Sequence, residues 1–204
     1  MVTKIKKKIV VEGDDSKEHL GLVHVVTGDG KGKTTSSLGL ALRALGANLK
    51  VYMIQFLKSG LTCELHTIKN NLTGMEIVQF GVDAIKERQQ KLDSFRDKGS
   101  KFVFNPDEVE KEAALLGFRH AKKIIQSGDY DLVILDEINV VLDKGLIPLD
   151  EVLEILETHG NVELCLTGRD APNEIKAKAD YVSQIQKIKH PWMKGIKARK
   201  GIEY

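Results

Sequence analysis

Leu22-Val23-His24-Val25-Val26-Thr27, running directly into Gly28-Asp29-Gly30-Lys31-Gly32-Lys33-Thr34-Thr35, decides how the rest of this chain is read. The first six residues are β-branched or apolar almost throughout, as in a strand buried on both faces. From Lys33 to Leu45 the pattern turns helical, with Leu38, Ala41, Leu42 and Leu45 at helical spacing and Gly46 as the stop. A glycine-rich loop in that setting lets successive N–H groups curl inward as a nest for anionic oxygens, and the helix N-terminus adds its positive end. From there Lys33 can reach phosphate oxygens and the Thr34 hydroxyl can ligate a magnesium ion. Gly28, Asp29, Gly30, Lys31, Gly32, Lys33, Thr34 and Thr35 are thus the candidate polyphosphate-binding residues.

The loop departs from the usual pattern at one place. A glycine normally stands five residues before the glycine of Gly-Lys-Thr, and here that position is Thr27. The loop is effectively one residue tighter, with an additional Lys31 inside it. A dinucleotide fingerprint starts with Gly28 and Gly30, but its third glycine would fall at Lys33, and that reading fails.

Outward from the loop, Val51–Phe56 and Met75–Phe80 read as strands. Asn105-Pro106-Asp107-Glu108 opens a long helix, with Asn as cap, Pro in the first turn and two acids at the positive end of the dipole; it runs to about Gln126 and stops at Ser127-Gly128. Leu132–Leu135 is a fully apolar strand that ends in Asp136-Glu137. A helix over Leu149–His159, a strand over Val162–Thr167, a short helix over Glu174–Ala179 and a strand over Tyr181–Ile188 follow. Such alternation predicts an α/β fold, a mostly parallel sheet with helices on both faces, of the P-loop NTPase-like (RecA-like) kind. Residues 1–20 read as a polar arm and 21–204 as one nucleotide-binding domain, interrupted by a charged insertion near 83–101.

Acids at the C-terminal end of a buried parallel strand face the crevice where such sheets bind ligands, so Asp136 and Glu137 are candidates to hold a nucleotide's metal ion; the plain alternative is capping of the next element. Arg43 could fold back to a phosphate or lie along the helix surface as a snorkelling arginine. Arg169, after Leu166-Thr167-Gly168, ends another buried strand on the ligand side.

The bulk numbers narrow the classes. A net charge of +2 gives no global reason to expect nucleic acid. The cluster Lys4, Lys6, Lys7 and Lys8 reads as a solvated edge or a frayed tail. No apolar run approaches the roughly 18 residues of a membrane span, and no secretory signal is visible. Cys63 and Cys165 stand apart, as small buried hydrophobes of a reducing compartment. The expectation is a soluble, cytoplasmic, single-domain protein.

With these residues in place, the chain resembles the P-loop corrinoid adenosyltransferases, which make adenosylcobalamin from ATP and a reduced corrinoid. The resembling stretches are Thr27–Thr35, R-A-L-G at Arg43–Gly46, V-Y-M-I-Q-F-L-K at Val51–Lys58, Y-D-L-V-I-L-D-E-I at Tyr130–Ile138, L-T-G-R at Leu166–Arg169 and the ending G-I-K-A-R-K-G-I-E-Y. The tighter loop with its extra lysine is itself a feature of that family. The resemblance implies that cob(I)alamin attacks the 5′ carbon of ATP and the whole triphosphate departs, ATP lying reversed in the loop. It further implies Lys33, Arg43 and Glu137 as catalytic residues, Lys31 and Arg169 as further triphosphate contacts, and Thr34 and Glu137 as ligands of Mg2+ (or Mn2+), with Asp136 close by.

The resemblance also implies aromatic packing against the lower face of the corrin, where an axial ligand must be excluded before cobalt can be reduced. Phe102 and Phe104, just before the Asn105-Pro106 helix, are the candidates, with Phe80 competing and core packing the plain alternative. No Asp-x-His-x-x-Gly supplies a lower histidine ligand, and His190 could meet the corrinoid or pack the tail. A homodimer and a flavodoxin-type reductant are the implied partners. A generic P-loop ATPase or kinase, with Glu137 activating water, is the competing reading. A corrinoid-delivery module that grips ATP without turnover is the other.

Overall fold

A computed structural model describes residues 17–81, apart from 59 and 61, and residues 106–204. Phe102, Phe104, Asn105, the lysine cluster and the 83–101 insertion lie outside the described residues.

Within them, strands β1 (Val23–Thr27), β2 (Val51–Phe56), β3 (Met75–Phe80), β4 (Leu132–Asp136), β5 (Glu163–Thr167) and β6 (Tyr181–Gln184) form one six-stranded sheet in the order β3-β2-β4-β5-β1-β6. Every pairing is parallel, so each connection crosses over a face of the sheet and helices cover both faces. The helices are α1 (Lys33–Gly46), α2 (Cys63–Asn71), α3 (Pro106–Ser127), α4 (Ile138–Asp143), α5 (Leu149–Thr158) and α6 (Asn173–Lys178).

Side chains alternate faces along a strand, and the two cores divide accordingly. Tyr52, Ile54, Phe56, Val133, Leu135, Leu164 and Leu166 pack with Ala114, Phe118 and Ala121 of α3 and with α4, α5 and α6. Val51, Met53, Leu132, Ile134 and Cys165 pack with Ala41 and Ala44 of α1 and Ile68 of α2. Central β2 and β4 are buried along their whole length, which explains their unbroken apolar sequences.

The predicted order of strands and helices is present, with three differences. The predicted last strand ends at Gln184 instead of Ile188, because the chain then leaves the sheet and crosses the glycine loop: the Ile185 amide donates to Thr27 O at 2.8 Å and the Gly30 amide to Ile185 O at 2.9 Å. Helix α2 was not foreseen; it is short, and Ile68 is its one buried residue. Helix α4 begins directly after Glu137 in an apolar, β-branched run that carries no sequence sign of a helix.

Candidate active site

The face that α1 covers carries a polar row at the C-terminal ends of the strands. Gln55, Asp136 and Thr167 continue the rows of Met53, Ile134 and Cys165, and all three are fully buried. Their neighbours follow from register, Gln55 standing beside Asp136 across the sheet. A buried carboxylate is tolerated only where donors replace water. Asp136 accepts from Thr167 Oγ1 at 2.6 Å, from Thr34 Oγ1 at 2.9 Å, from Gln55 Nε2 at 3.0 Å and from the Lys58 ammonium at 2.8 Å. Gln79 and Glu64 complete the arrangement around Gln55, at 2.8 and 3.3 Å.

Lys33 starts α1 and is 7 % exposed. Its ammonium donates to Gly28 O at 2.7 Å and Gly30 O at 2.8 Å, so the loop closes around it and one N–H is left for a ligand. Burial lowers its pKa from the ordinary lysine value, and the nearby charge of Glu137 opposes that shift. Gly28 and Gly32 have φ of 106° and 122°, which a side chain would resist. A Cβ on Gly28 would also stand 2.3 Å from Ile185 O.

Glu137 caps α4 in the left-handed region, at φ 67°. Leu57 after β2 and Asp170 near the end of β5 share that conformation, at 56° and 51°. Non-glycine residues held there are strained, and three of them ring one end of one sheet. Glu137 makes no hydrogen bond through its carboxylate among the described residues. Burial, then the charge of Asp136, raises its pKa, while Lys58, Lys33 and Arg169 hold the shift back.

A cleft of about 570 Å3 lies over these groups. Asp29, Gly30, Lys31, Gly32, Lys33, Thr34, Thr35, Glu137 and Arg169 all line it, so nine sequence candidates meet in one place. Gly28 contributes its carbonyl to Lys33 from below. Asp29 has a structural bond as well, accepting the Lys187 amide at 3.0 Å. The last residues fold over the opening, with Ile202, Glu203 and Tyr204 in its wall and the Arg199 guanidinium paired to Glu203 at 2.9 Å. Thr62 Oγ1, buried in the same wall, has no partner among the described residues.

Two candidates are not brought there. Arg43 is exposed in the last turn of α1, and ten residues at ~1.5 Å each put it ~15 Å down the helix from Lys33. Phe80 packs beside His120, ring centroids 5.6 Å apart, and against Gly117, whose Cβ would stand 2.9 Å from its ring. Its ring belongs to the core below α3, not to the cleft lining. Sequence reasoning missed Gln55, Lys58 and Thr167. A glutamine inside V-Y-M-I-Q-F was the available signal for the first.

The family model for ATP:corrinoid adenosyltransferase BtuR/CobO/CobP matches residues 19–204. The chain is 30% identical over 202 residues to the corrinoid adenosyltransferase CobA of Salmonella typhimurium, covering 98% of this chain and 94% of that one. It is 29% identical over 204 residues to the corrinoid adenosyltransferase of Escherichia coli strain K12, with the same coverage. A Pseudomonas aeruginosa corrinoid adenosyltransferase is 29% identical over 204 residues, 98% of this chain and 92% of that protein.

Proposed function

The chain belongs to the ATP:corrinoid adenosyltransferase family, and from that premise we propose how its own residues carry the transfer of the 5′-deoxyadenosyl group from ATP to the Co(I) of a corrinoid, with release of triphosphate. The observation that carries the reading is Lys33 held inside its loop, with Thr34 tied to Asp136 beside it. Lys33, Lys31, the loop amides and Arg169 cradle the triphosphate. Charge on the bridging oxygen grows as the C–O bond breaks, so these fixed cations stabilise the transition state more than bound ATP.

The donors around Thr34 are hard oxygens, as Mg2+ or Mn2+ requires, and the Lys58 ammonium, 3.1 Å from Thr34 Oγ1 and 2.8 Å from Asp136 Oδ2, supports a cation position between them. Thr34 and Glu137 would hold the ion, with Asp136 orienting the Thr34 hydroxyl. Once bound, the ion supplies further charge stabilisation to the departing triphosphate. The lower face of the corrin falls to Phe102 and Phe104, because Phe80 is committed to the core. Arg43 is left with an exposed helix position.

Reduction to Co(I) calls for a flavodoxin-type donor. A homodimer is the assembly we favour, with Ile188, Trp192 and Met193, which follow β6 in the chain and are exposed, as apolar groups for a partner subunit to cover. None of the helices among the described residues is long and apolar enough to cross a membrane. A cytoplasmic enzyme of residues 21–204, with a polar arm before it, is the arrangement we favour.

Incubation with ATP, Mg2+ and chemically reduced cobalamin tests the residue roles. Adenosylcobalamin should form, chelation with EDTA should stop it, and Lys33→Ala should lower turnover by about 10²-fold or more. Near-normal turnover in Lys33→Ala would overturn the leaving-group role.

A further inference from the structure

Lys58 stands two residues after the end of β2 and lines the nucleotide cleft, one-fifth exposed. Its ammonium lies 3.1 Å from Thr34 Oγ1 and 2.8 Å from Asp136 Oδ2. A hydroxyl has one hydrogen and two lone pairs. Thr34 gives its hydrogen to Asp136, so Lys58 donates into the lone-pair side, which is also the side a metal ion would use. A monovalent and a divalent cation so close together repel strongly in a partly buried site. The two therefore compete for one position.

Removal of Lys58 from that position would leave Asp136 one donor poorer inside the protein, a costly state unless another cation arrives. The triphosphate offers Lys58 a second place, because the same cleft holds both. We propose that Lys58 occupies the cation position between Thr34 and Asp136 in the nucleotide-free enzyme, yields it to the divalent ion that arrives with ATP, and then contacts the triphosphate oxygens. The proposal rests on the metal assignment of the preceding section. It gives the site an order: metal binds well only when nucleotide comes with it.

The test is Mn2+ binding to the full-length protein, read from loss of the free-ion EPR signal. Without nucleotide, Lys58→Met should bind Mn2+ at least about tenfold more tightly than wild type, while Lys58→Arg should bind as weakly as wild type. At saturating Mn2+, Lys58→Met should bind ATP more weakly than wild type, because it lacks the ammonium that moves onto the triphosphate. Lys58→Gln serves as a second neutral variant, and melting curves identify any variant that fails to fold. Equal Mn2+ affinity in wild type and in a folded neutral variant would overturn the proposal. The metal assignment itself would fail differently, with Thr34→Val binding Mn2+ and ATP together as well as wild type does.

Discussion

Thr27 stands where phosphate-binding loops usually have glycine, and its hydroxyl accepts the buried Ala171 amide at 3.2 Å. The residue that shortens the loop therefore also fixes the turn carrying Arg169. Thr27→Val keeps the shape and removes the acceptor, so it should cost about 1–3 kcal/mol in urea unfolding. A change below experimental error would show that water satisfies Ala171 in its place. Lys33, Thr34 and Asp136 were legible in the sequence because a short local motif specifies each of them. Gln55, Lys58 and Thr167 were not, because their meaning depends on which strand ends lie side by side, and register between strands is non-local.

At the scale of elements, the glycine loop is held from above by the chain leaving β6. A Cβ on Gly30 would stand 2.8 Å from the backbone of Gln186, and one on Gly28 closer still to Ile185. Gly28→Ala should push the two segments apart and weaken ATP binding by about 10²-fold, measured by calorimetry. Gly39, inside α1, has no atom within 4 Å of an added Cβ. Gly39→Ala should accordingly bind ATP normally and gain about 0.5–1 kcal/mol of stability. If both substitutions behaved alike, close packing over the loop would not be what requires the glycine. Strands and long helices were legible from periodicity alone. Helices α2 and α4 were not, since each is short and has too few turns to display a period.

For the whole molecule, a second set of bonds lies at the opposite end of the sheet from the cleft. Glu163 accepts from His24 Nε2 at 2.6 Å and from the Leu22 and Gly21 amides at 2.8 and 2.9 Å, tying the entry of β1 to β5. Burial alone would raise its pKa, but the hydrogen bonds from His24 and the two amides outweigh it and the net shift is downward. A carboxyl depressed in the folded state stabilises above its ordinary value of 4.5, and loses that contribution as pH falls through the folded value. Glu163→Gln should therefore melt several degrees lower at pH 7, with the gap from wild type closing below about pH 4. A gap independent of pH would place the effect in packing instead.

The sheet brings four strand ends and the C-terminal segment to one cleft, and in the proposed function that convergence serves the departure of an intact triphosphate. The most direct check is 31P NMR of the phosphorus products after turnover with ATP, Mg2+ and cob(I)alamin. Inorganic triphosphate, equal in amount to the adenosylcobalamin formed, is the expected result. ADP with orthophosphate, or AMP with pyrophosphate, would contradict it.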